Sequence, residues 1–439
     1  MAGYFGLEMV QTPWGDSSTL RERRLSPGRG TPREVARRNQ RERLLGAMVA
    51  VTAEKPYAET WVADLVEVSG VSSRSFYQLF ADKEECFLAT MEEILGNVQR
   101  LAEDAVDNDE ADAPSPHQLV ETFVAMVNAQ PAAAKLCMVS AFSAGDRPRE
   151  RVIKAIEELS ALVRRGLEGI PRHDGMPTEL AQAILSGISL VLYRRLGANR
   201  IEGLRDLGPR LSDWVVSIPP PPGPFRPRSR RNRSSGERGP PPLAAHVPAE
   251  RILRGFAEVV VEKGYAATTI ADVAARARIS QNTFYKHFRD KAHALEAALD
   301  SSGAQMLAAA APAVRREPAW PGAVRVALEA LCAFMAAEPI YAYLREVEVY
   351  AIGPEAVALR DRARGEVVEM LANVAESEQV LKDFDPIAVE ATLGVFQALL
   401  YTRIQSGRLQ DLVEVPPLVT YLGFAPVIGA QEAWKIASG

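Results

Sequence analysis

Apolar side chains recur every three to four residues along most of this chain, the spacing that places them on one face of a helix. The first clear stretch starts near Arg37 and ends at Pro56, and a second ends at Gly264. A glycine suits the left-handed residue that closes a helix and a proline cannot adopt it, so we expect these two helices to end differently. The apolar positions are Leu44, Leu45, Met48 and Val51 in the first stretch, and Ile252, Leu253, Phe256, Val259 and Val260 in the second.

Two short helices separated by a tight turn are predicted after each of these stretches. The first short helix spans 61–68 or 269–277, and the turn falls at Ser69-Gly70 or Ala277-Arg278. Hydroxyl side chains suit the cap positions that open a helix. Those available are Thr60, Thr268 and Thr269 before the first short helix, and Ser72 and Ser280 before the second. This arrangement is typical of a helix-turn-helix.

Helical spacing continues downstream while the alternation typical of strands is nearly absent. The predicted helices are 83–106, 291–312, and segments around 117–130, 134–144, 150–168, 179–200 and 203–217 with their counterparts in the second half. The fold class is therefore predicted as all-α, with two tandem modules. Each has an N-terminal three-helix domain carrying the helix-turn-helix, followed by a helical domain.

The two modules are predicted because the chain repeats nearly the same sequence 208 residues apart. Residues 43–87 and 251–295 align without a gap, and Phe76-Tyr77 falls on Phe284-Tyr285. Weaker matches at the same offset continue downstream, such as Leu192-Tyr193 with Leu400-Tyr401. The period is far longer than the ~20–50 residues of a solenoid repeat, so we interpret it as duplication of a whole domain.

Two segments lack helical spacing and set the expected boundaries. Residues 218–248 are rich in proline and arginine and are predicted to be a linker. Residues 1–32 are predicted to be a disordered basic arm. The helix-turn-helix domains then cover 33–88 and 249–296, and the helical domains cover 89–217 and 297–439. We call 33–217 copy one and 249–439 copy two.

Charge is uneven, although the whole chain carries a net charge of −5. Residues 1–43 hold nine arginines against five acidic residues, and 251–291 hold eight basic residues against four acidic ones. Basic patches on an acidic protein are where a polyanion binds.

Composition excludes several other classes of protein. The hydrophobic share of 47% and charged share of 24% are ordinary for a globular protein. No unbroken apolar run of ~18 residues and no secretion signal are present, so we expect a cytoplasmic protein with no membrane partner. The five histidines lack metal-ligand spacing, and no phosphate loop or nucleophile elbow occurs. We therefore expect no enzyme activity, cofactor or metal. The widely spaced Cys86, Cys137 and Cys332 are expected to be reduced.

The repeated motif resembles the DNA-binding domain of tetracycline-repressor-like (TetR) bacterial transcriptional regulators. In copy two the matching strings are 264–274, running from Gly264 to Ala274, and 279–288, running from Ile279 to Phe288, followed by Lys291. Copy one is similar more loosely, with Trp61 in place of a hydroxyl residue and Pro56 in place of Gly264. The likeness covers about 45 residues in each half, and it implies double-stranded DNA as the partner.

The second helix of a helix-turn-helix lies in the major groove with its N-terminal side chains at base edges. Arginine pairs with guanine there, and asparagine or glutamine with adenine. The predicted base-reading residues are Ser72, Ser73, Arg74 and Ser75 in copy one and Ser280, Gln281, Asn282 and Thr283 in copy two. The predicted phosphate contacts are Thr60, Tyr77 and Lys83 in copy one and Thr268, Thr269, Tyr285, His287 and Lys291 in copy two. The phenylalanines at 76, 80, 284 and 288 are assigned to the core instead.

Copy two is expected to be the stronger DNA reader. In copy one a run of arginines is expected to compensate through phosphate or minor-groove contacts: Arg33, Arg37, Arg38, Arg41 and Arg43. Arg278, at the turn where copy one has Gly70, costs ~1 kcal/mol if a positive φ is required.

The resemblance also implies pairing through the last two helices of the effector domain, which this chain contains twice. Tethering favours an intrachain pseudo-dimer, and a homodimer between chains is the alternative. A small-molecule effector is implied, with a pocket expected in copy two at Phe334, Tyr341, Tyr350, Phe396 and Tyr401, although such aromatic positions also suit a plain core. The sequence is also compatible with a regulator in which only the second helix-turn-helix is active, and with an interaction module that has lost DNA binding.

Overall fold

A computed structural model describes residues 9–25, 32–107, 116–167, 177–225, 248–317, 319–362 and 385–439. The chain divides into two compact units. One contains Met1–Ile170 with Val191–Asp213, and the other contains Pro171–Leu190 with Trp214–Gly439.

Unit 1 begins with a small hairpin that the sequence did not predict. Strands β1 (Gln11–Thr12) and β2 (Gly15–Asp16) pair antiparallel, and a 3₁₀ turn follows at Ser17–Thr19. Leu20 is fully buried in the core of the unit, where Val10 and Trp14 also pack. The expected disordered arm is therefore folded over 9–25, and the rest of its predicted span lies largely outside the described residues. Two-residue strands carry no periodicity, so the sequence pattern could not reveal them.

Three helices pack after the hairpin and lead into a long fourth one. They are α1 (Arg33–Glu54), α2 (Val62–Ser69), α3 (Ser73–Leu79) and α4 (Lys83–Asp107). The predicted apolar face of α1 is buried, with Leu44, Leu45 and Met48 fully enclosed and Val51 nearly so. Phe76 and Phe87 complete this core.

The remaining helices of copy one continue the all-α architecture. They are α5 (Pro116–Ala129), α6 (Pro131–Lys135), a π-helical turn at Leu136–Ser140, α7 (Ala141–Ser143), α8 (Asp146–Leu167), α9 (Thr178–Gly197) and α10 (Leu204–Ser217). Helices α4 and α8 pack against each other in unit 1.

Copy two repeats this order. Its helices are α11 (Pro248–Lys263), α12 (Ile270–Ala277), α13 (Gln281–His287), α14 (Lys291–Arg316), α15 (Trp320–Ala337), α16 (Pro339–Tyr343), a π-helical turn at Leu344–Glu348, α17 (Val349–Ile352), α18 (354–362), α19 (Pro386–Gln405), a 3₁₀ helix at Leu409–Glu414, α20 (Val415–Ile428) and α21 (Ala430–Ser438).

The duplication is visible in the element boundaries. Adding 208 to the first and last residues of α2, α3 and α9 gives those of α12, α13 and α19. The π-helical turns at Leu136–Ser140 and Leu344–Glu348 are related in the same way. Such turns are rare, so their recurrence at one offset supports a common origin for the whole module and not only for its motif.

The helices before the helix-turn-helix end as their sequences predict. Gly264 has a φ of +80° and its amide bonds to the carbonyl of Val260. In copy one the residue after α1, Lys55, is extended, as the proline that follows it requires.

Within the described residues, three helical segments are long and apolar enough to cross a membrane by length and composition alone. They are Trp320–Ala337, Pro386–Gln405 and Leu409–Ile428, with 50%, 50% and 61% of their most apolar windows buried within the protein. The absence of an unbroken apolar run does not exclude such segments, because an apolar window tolerates charges. In α15 the charged residues are Arg325 and Glu329, which pair at 3.6 Å.

Candidate DNA-binding site

The two helix-turn-helix motifs have the same backbone conformation at the turn, but a different residue occupies it in each copy. Gly70 (φ +63°) and Arg278 (φ +54°) both cap the preceding helix in the left-handed conformation. The positive φ suspected at Arg278 is thus present. An arginine there is less favourable than glycine by about 1 kcal/mol.

Helix α12 is capped by Thr269, one of its two predicted candidates, whereas the cap position of α2 is Trp61 and not the predicted Thr60. In copy two the Thr269 hydroxyl accepts the amide of Asp272 at 3.2 Å, and the Asp272 carboxylate accepts the amide of Thr269 at 3.0 Å. Hydrogen bonds from Lys263 and Thr269 lower the pKa of Asp272 to about 2. In copy one the cap position is Trp61, which offers no side-chain acceptor, so only the Asp64 half of the arrangement remains.

Thr60 and Thr268 themselves are turned inward. Thr60 is fully buried and its hydroxyl donates to the carbonyl of Pro56 at 3.2 Å. Thr268 is equally enclosed and donates to the carbonyl of Gly264 at 2.8 Å. Their hydroxyls therefore close the loop before α2 and α12 and are not presented to a ligand.

The candidate recognition helices α3 and α13 begin with capping serines. The hydroxyl of Ser72 accepts the amide of Ser75, and that of Ser280 accepts the amide of Thr283, both at 3.1 Å. These four side chains therefore stabilise the first turn of their helix. The exposed side chains of this turn are Ser73 and Arg74 in copy one and Gln281 and Asn282 in copy two.

Aromatic residues divide between core and surface as the sequence predicts. Phe76 and Phe284 are fully buried, and each packs against the next phenylalanine with ring centroids 5.7 Å apart. Tyr77 and Tyr285 are 60% and 54% exposed beside them. His287 is also exposed, near the end of α13.

Lys83 and Lys291 are held within the protein instead of pointing freely outward. The ammonium of Lys83 donates to the carbonyls of Tyr57 and Thr60 at 2.8 and 2.7 Å and lies 4.0 Å from the Tyr57 ring. Lys291 donates to the carbonyl of Tyr265 at 2.7 Å and lies 4.2 Å from its ring. Burial lowers the pKa of both lysines. Each lysine fastens the start of α4 or α14 to the preceding loop.

Most of the arginines expected to assist DNA binding by copy one have partners within the protein. Arg41 pairs with Glu93 at 2.6 Å, and Arg38 pairs with Glu42 at 3.0 Å. Arg43 is buried and donates to the carbonyl of Ser69 at 3.0 Å. Arg37 is exposed and its guanidinium lies 3.4 Å from the carbonyl of Gln78. Arg33 is exposed at the start of α1.

The residues expected to line an effector pocket are all buried. Phe334, Tyr341, Tyr350, Phe396 and Tyr401 are each at most 6% exposed. The rings of Tyr350 and Tyr401 lie edge to face at 5.5 Å.

A buried charged cluster lies beside these aromatic residues. Arg360 and Glu346 are fully buried 3.5 Å apart, and Arg360 also lies 5.1 Å from the ring of Tyr350. Burial lowers the pKa of Arg360, but Tyr350, Asp361 and Glu346 raise it by more.

Copy two also buries the polar side chains of Arg345 and Gln397. The Arg345 guanidinium donates to the hydroxyl of Ser302 at 2.9 Å. Gln397 is 1% exposed, and its carbonyl oxygen has no hydrogen-bond partner among the described residues. Sequence reasoning missed Arg360 and Gln397. Arg360 follows the buried Ala356 at a spacing of four, so its place on an apolar face was the available signal.

Comparison with known proteins gives a family match for the repeated motif. The family of bacterial regulatory proteins named tetR matches residues 44–90 and again 252–298. A search of curated proteins found no match. Among solved structures, the chain is similar to the fatty acid degradation regulator FadR from Bacillus halodurans, with 15% identity, a TM-score of 0.37, and coverage of 40% of this chain and 95% of that one. The chain therefore carries two tandem domains that match the tetR family of bacterial regulatory proteins, and these domains support a DNA-binding transcriptional regulator.

Proposed function

We propose that this chain is a transcriptional repressor of the bacterial cytoplasm that binds one operator through an intrachain pseudo-dimer. The observation that carries the proposal is a comparison of α3 with α13. The two helices begin and end at corresponding positions, 208 residues apart, and both are capped by serine, but they expose different side chains. Arg74 suits guanine, whereas Gln281 and Asn282 suit adenine. The two half-sites of the operator therefore differ, and the operator is not a palindrome.

Support for pairing within one chain comes from a close helix contact inside unit 2. A side chain added at Gly187 of α9 would meet the carbonyl oxygen of Ala391 at 2.7 Å. One added at Gly394 of α19 would meet the carbonyl oxygen of Gly187 at 2.8 Å. Only glycine allows two helix backbones to approach so closely. The helices involved are the corresponding ones of copy one and copy two.

The start of the linker is fastened to the end of copy two, also inside unit 2. The hydroxyl of Tyr421 donates to the carbonyl of Pro219 at 2.7 Å, and the indole of Trp434 donates to that of Gly223 at 3.0 Å. The Phe225 ring lies 5.3 Å from that of Tyr421. Contacts that hold the start of the linker on copy two raise the effective concentration of one copy near the other, which favours the intrachain pair.

Release from DNA is proposed to follow binding of a small-molecule effector to the helical domain of copy two. Support comes from the contrast between the copies at the same offset. Copy two buries Arg345, Glu346 and Arg360 where copy one has Cys137, Met138 and Val152. Buried polar groups beside aromatic side chains give the orientation and specificity that a ligand site requires.

Selection of bound duplexes from a random DNA library tests the proposal. We expect two unlike half-sites whose centres lie ~34–36 Å apart along the duplex, one read by each copy. The matched variant Ser73→Gln/Arg74→Asn gives copy one the exposed side chains of copy two and should recover a more symmetric site. Recovery of a perfect palindrome by the unaltered protein would contradict the pseudo-dimer, and recovery of no preferred sequence would contradict specific binding.

A further inference from the structure

We infer that the folded segment 9–25 is a second DNA-backbone contact of copy one, in which Arg21, Arg23 and Arg24 bind phosphates beside the recognition helix. We call this segment the N-terminal clamp. The inference rests on the proposed function, because the phosphates belong to the same operator.

The clamp is an integral part of unit 1. Leu20 is fully buried against α1, so close that a side chain at Gly46 would meet it at 3.0 Å. Thr12 is buried and its hydroxyl donates to the carbonyl of Gly15 at 2.6 Å, which closes the hairpin. The side-chain amide of Asn39 donates to the carbonyl of Arg23 at 3.1 Å. The backbone that carries the arginines is therefore fixed relative to the helix-turn-helix.

The clamp carries three exposed arginines against the exposed Glu22 and the half-buried Asp16. Arg21, Arg23 and Arg24 are exposed, and no carboxylate forms an ion pair with any of them in the described part of the chain. Burial lowers the pKa of Arg43, and the positive charges of Arg24 and Arg23 lower it further. An excess of exposed arginines on a backbone held by these contacts suits a polyanion such as the DNA backbone.

The position of Arg21 shows where the positive charge of the clamp lies relative to the candidate recognition helix α3. Its Cγ would be 3.2 Å from a side chain added at Gly70, so Arg21 covers the turn that leads into α3. In copy two the residue at that turn is Arg278, which is exposed. Both copies thus hold a guanidinium at the turn, from the turn residue itself in copy two and from the clamp in copy one.

The clamp takes the place of the arginines between 33 and 43, which the sequence had suggested for the phosphate contacts of copy one. Arg41 and Arg43 are occupied by Glu93 and by the carbonyl of Ser69. Phosphate contacts position a protein without reading sequence, so the clamp should raise the affinity of copy one for any duplex.

Salt dependence of binding measures these contacts directly. Each phosphate contact contributes about 0.9 to the slope of log affinity against log salt concentration. Arg21→Ala should therefore flatten the slope by about 0.9, and Arg23→Ala/Arg24→Ala by about 1.8, on the selected operator and on a random-sequence duplex of equal length.

The controls remove the same charge elsewhere in unit 1. Arg100 lies 17 residues beyond Lys83 on α4, about 25 Å along the helix axis, and Lys154 is exposed on α8. Arg100→Ala and Arg100→Ala/Lys154→Ala should leave the slope unchanged. A change equal to that of the clamp variants would mean that only net charge matters and would overturn the inference.

A second site provides a rescue that a general loss of folding could not mimic. Arg21→Ala/Gly70→Arg places the guanidinium on the turn, as copy two does with Arg278, and should restore the slope lost in Arg21→Ala. In copy two, Arg278→Gly should flatten the slope by about 0.9 without touching the clamp. Unchanged slopes in the clamp variants, with operator binding intact, would refute the clamp and leave the proposed function standing. Failure of the unaltered protein to bind duplex DNA would refute the proposed function itself.

Discussion

At the scale of single residues, the two copies show which side chains fold the domain and which are left for DNA. The capping serines Ser72 and Ser280 and the loop-fastening lysines Lys83 and Lys291 already have partners within the protein. Tyr77 and Tyr285 stay exposed beside buried phenylalanines because adjacent residues of a helix are about 100° apart around its axis, so the residue next to a buried one can face outward. That division was predictable from sequence spacing. The partners of the lysines were not, because the carbonyls come from a loop more than 20 residues earlier in the chain.

The exposed tyrosines provide a test of which copy contributes more to DNA affinity. Tyr285→Phe removes a hydroxyl from the copy that has the complete cap at Thr269 and exposed basic residues along α13. We expect it to weaken operator binding more than Tyr77→Phe, measured at one fixed salt concentration. The two variants are matched controls for each other, because both rings pack edge-on against a phenylalanine. An equal or reversed loss would contradict the ranking.

Substitutions at the residue that caps the first short helix should change stability in opposite directions in the two copies. Thr269→Ala removes an acceptor from α12 and should lower the stability of that helix-turn-helix by about 1 kcal/mol. Trp61→Thr supplies the missing acceptor to α2 and should raise the stability of copy one by a similar amount. Amide hydrogen exchange in the two segments measures each effect locally. A loss of protection in α2 after Trp61→Thr would show that the exposed indole stabilises that helix in another way.

At the scale of helices, the order and boundaries of the helices could be predicted closely from the spacing of apolar residues. The buried charged residues and the packing of the non-helical N-terminal segment could not. The short helices were predicted within one residue, because their capping residues and apolar faces agree. The hairpin at 9–25 was missed because its stability comes from Leu20, Val10 and Trp14 packing on α1 and not from a local pattern. The arginine at 360 breaks the apolar face of α18, and its ion pairs with Glu346 and Asp361 make that position tolerable.

The buried pair in copy two can be replaced by the residues that copy one carries at the same positions. Arg360→Val alone leaves Glu346 buried without this partner and should destabilise the protein by about 3–5 kcal/mol. Arg360→Val/Glu346→Met reproduces Val152 and Met138 of copy one and should recover most of that loss. Chemical denaturation followed by the fluorescence of copy two measures the difference. If the double variant is as unstable as the single one, the pair is not an isolated unit and other buried groups depend on it.

At the scale of the whole chain, we propose that the duplication allows one polypeptide to do what two identical subunits otherwise do. The glycine contact between α9 and α19, and the docking of residues 219–225 on Tyr421 and Trp434, are features of unit 2 that favour an intrachain pair. The second helix-turn-helix is then free to diverge from the first. An asymmetric operator is the functional consequence that the proposed pseudo-dimer predicts.

Gly187 tests whether that helix contact supports operator binding. Gly187→Ala adds a carbon that would meet the carbonyl oxygen of Ala391 at 2.7 Å, so the helices must separate. We expect operator affinity to fall at least tenfold, while each helix-turn-helix keeps its hydrogen-exchange protection. Gly96→Ala is the matched control, because a carbon there meets nothing within 4 Å and alanine favours the helix. Equal affinities for the two variants would show that this contact is not required for binding.

The most direct test of the account is the number of chains bound to one operator. Multi-angle light scattering on the complex with the selected duplex gives its mass, and each chain adds 47.9 kDa. One chain per two-half-site duplex is the result that an intrachain pseudo-dimer predicts, at protein concentrations well above those needed for binding. Two chains on a palindromic duplex would contradict it and would instead identify an ordinary homodimer in which one pair of helix-turn-helix domains is not used.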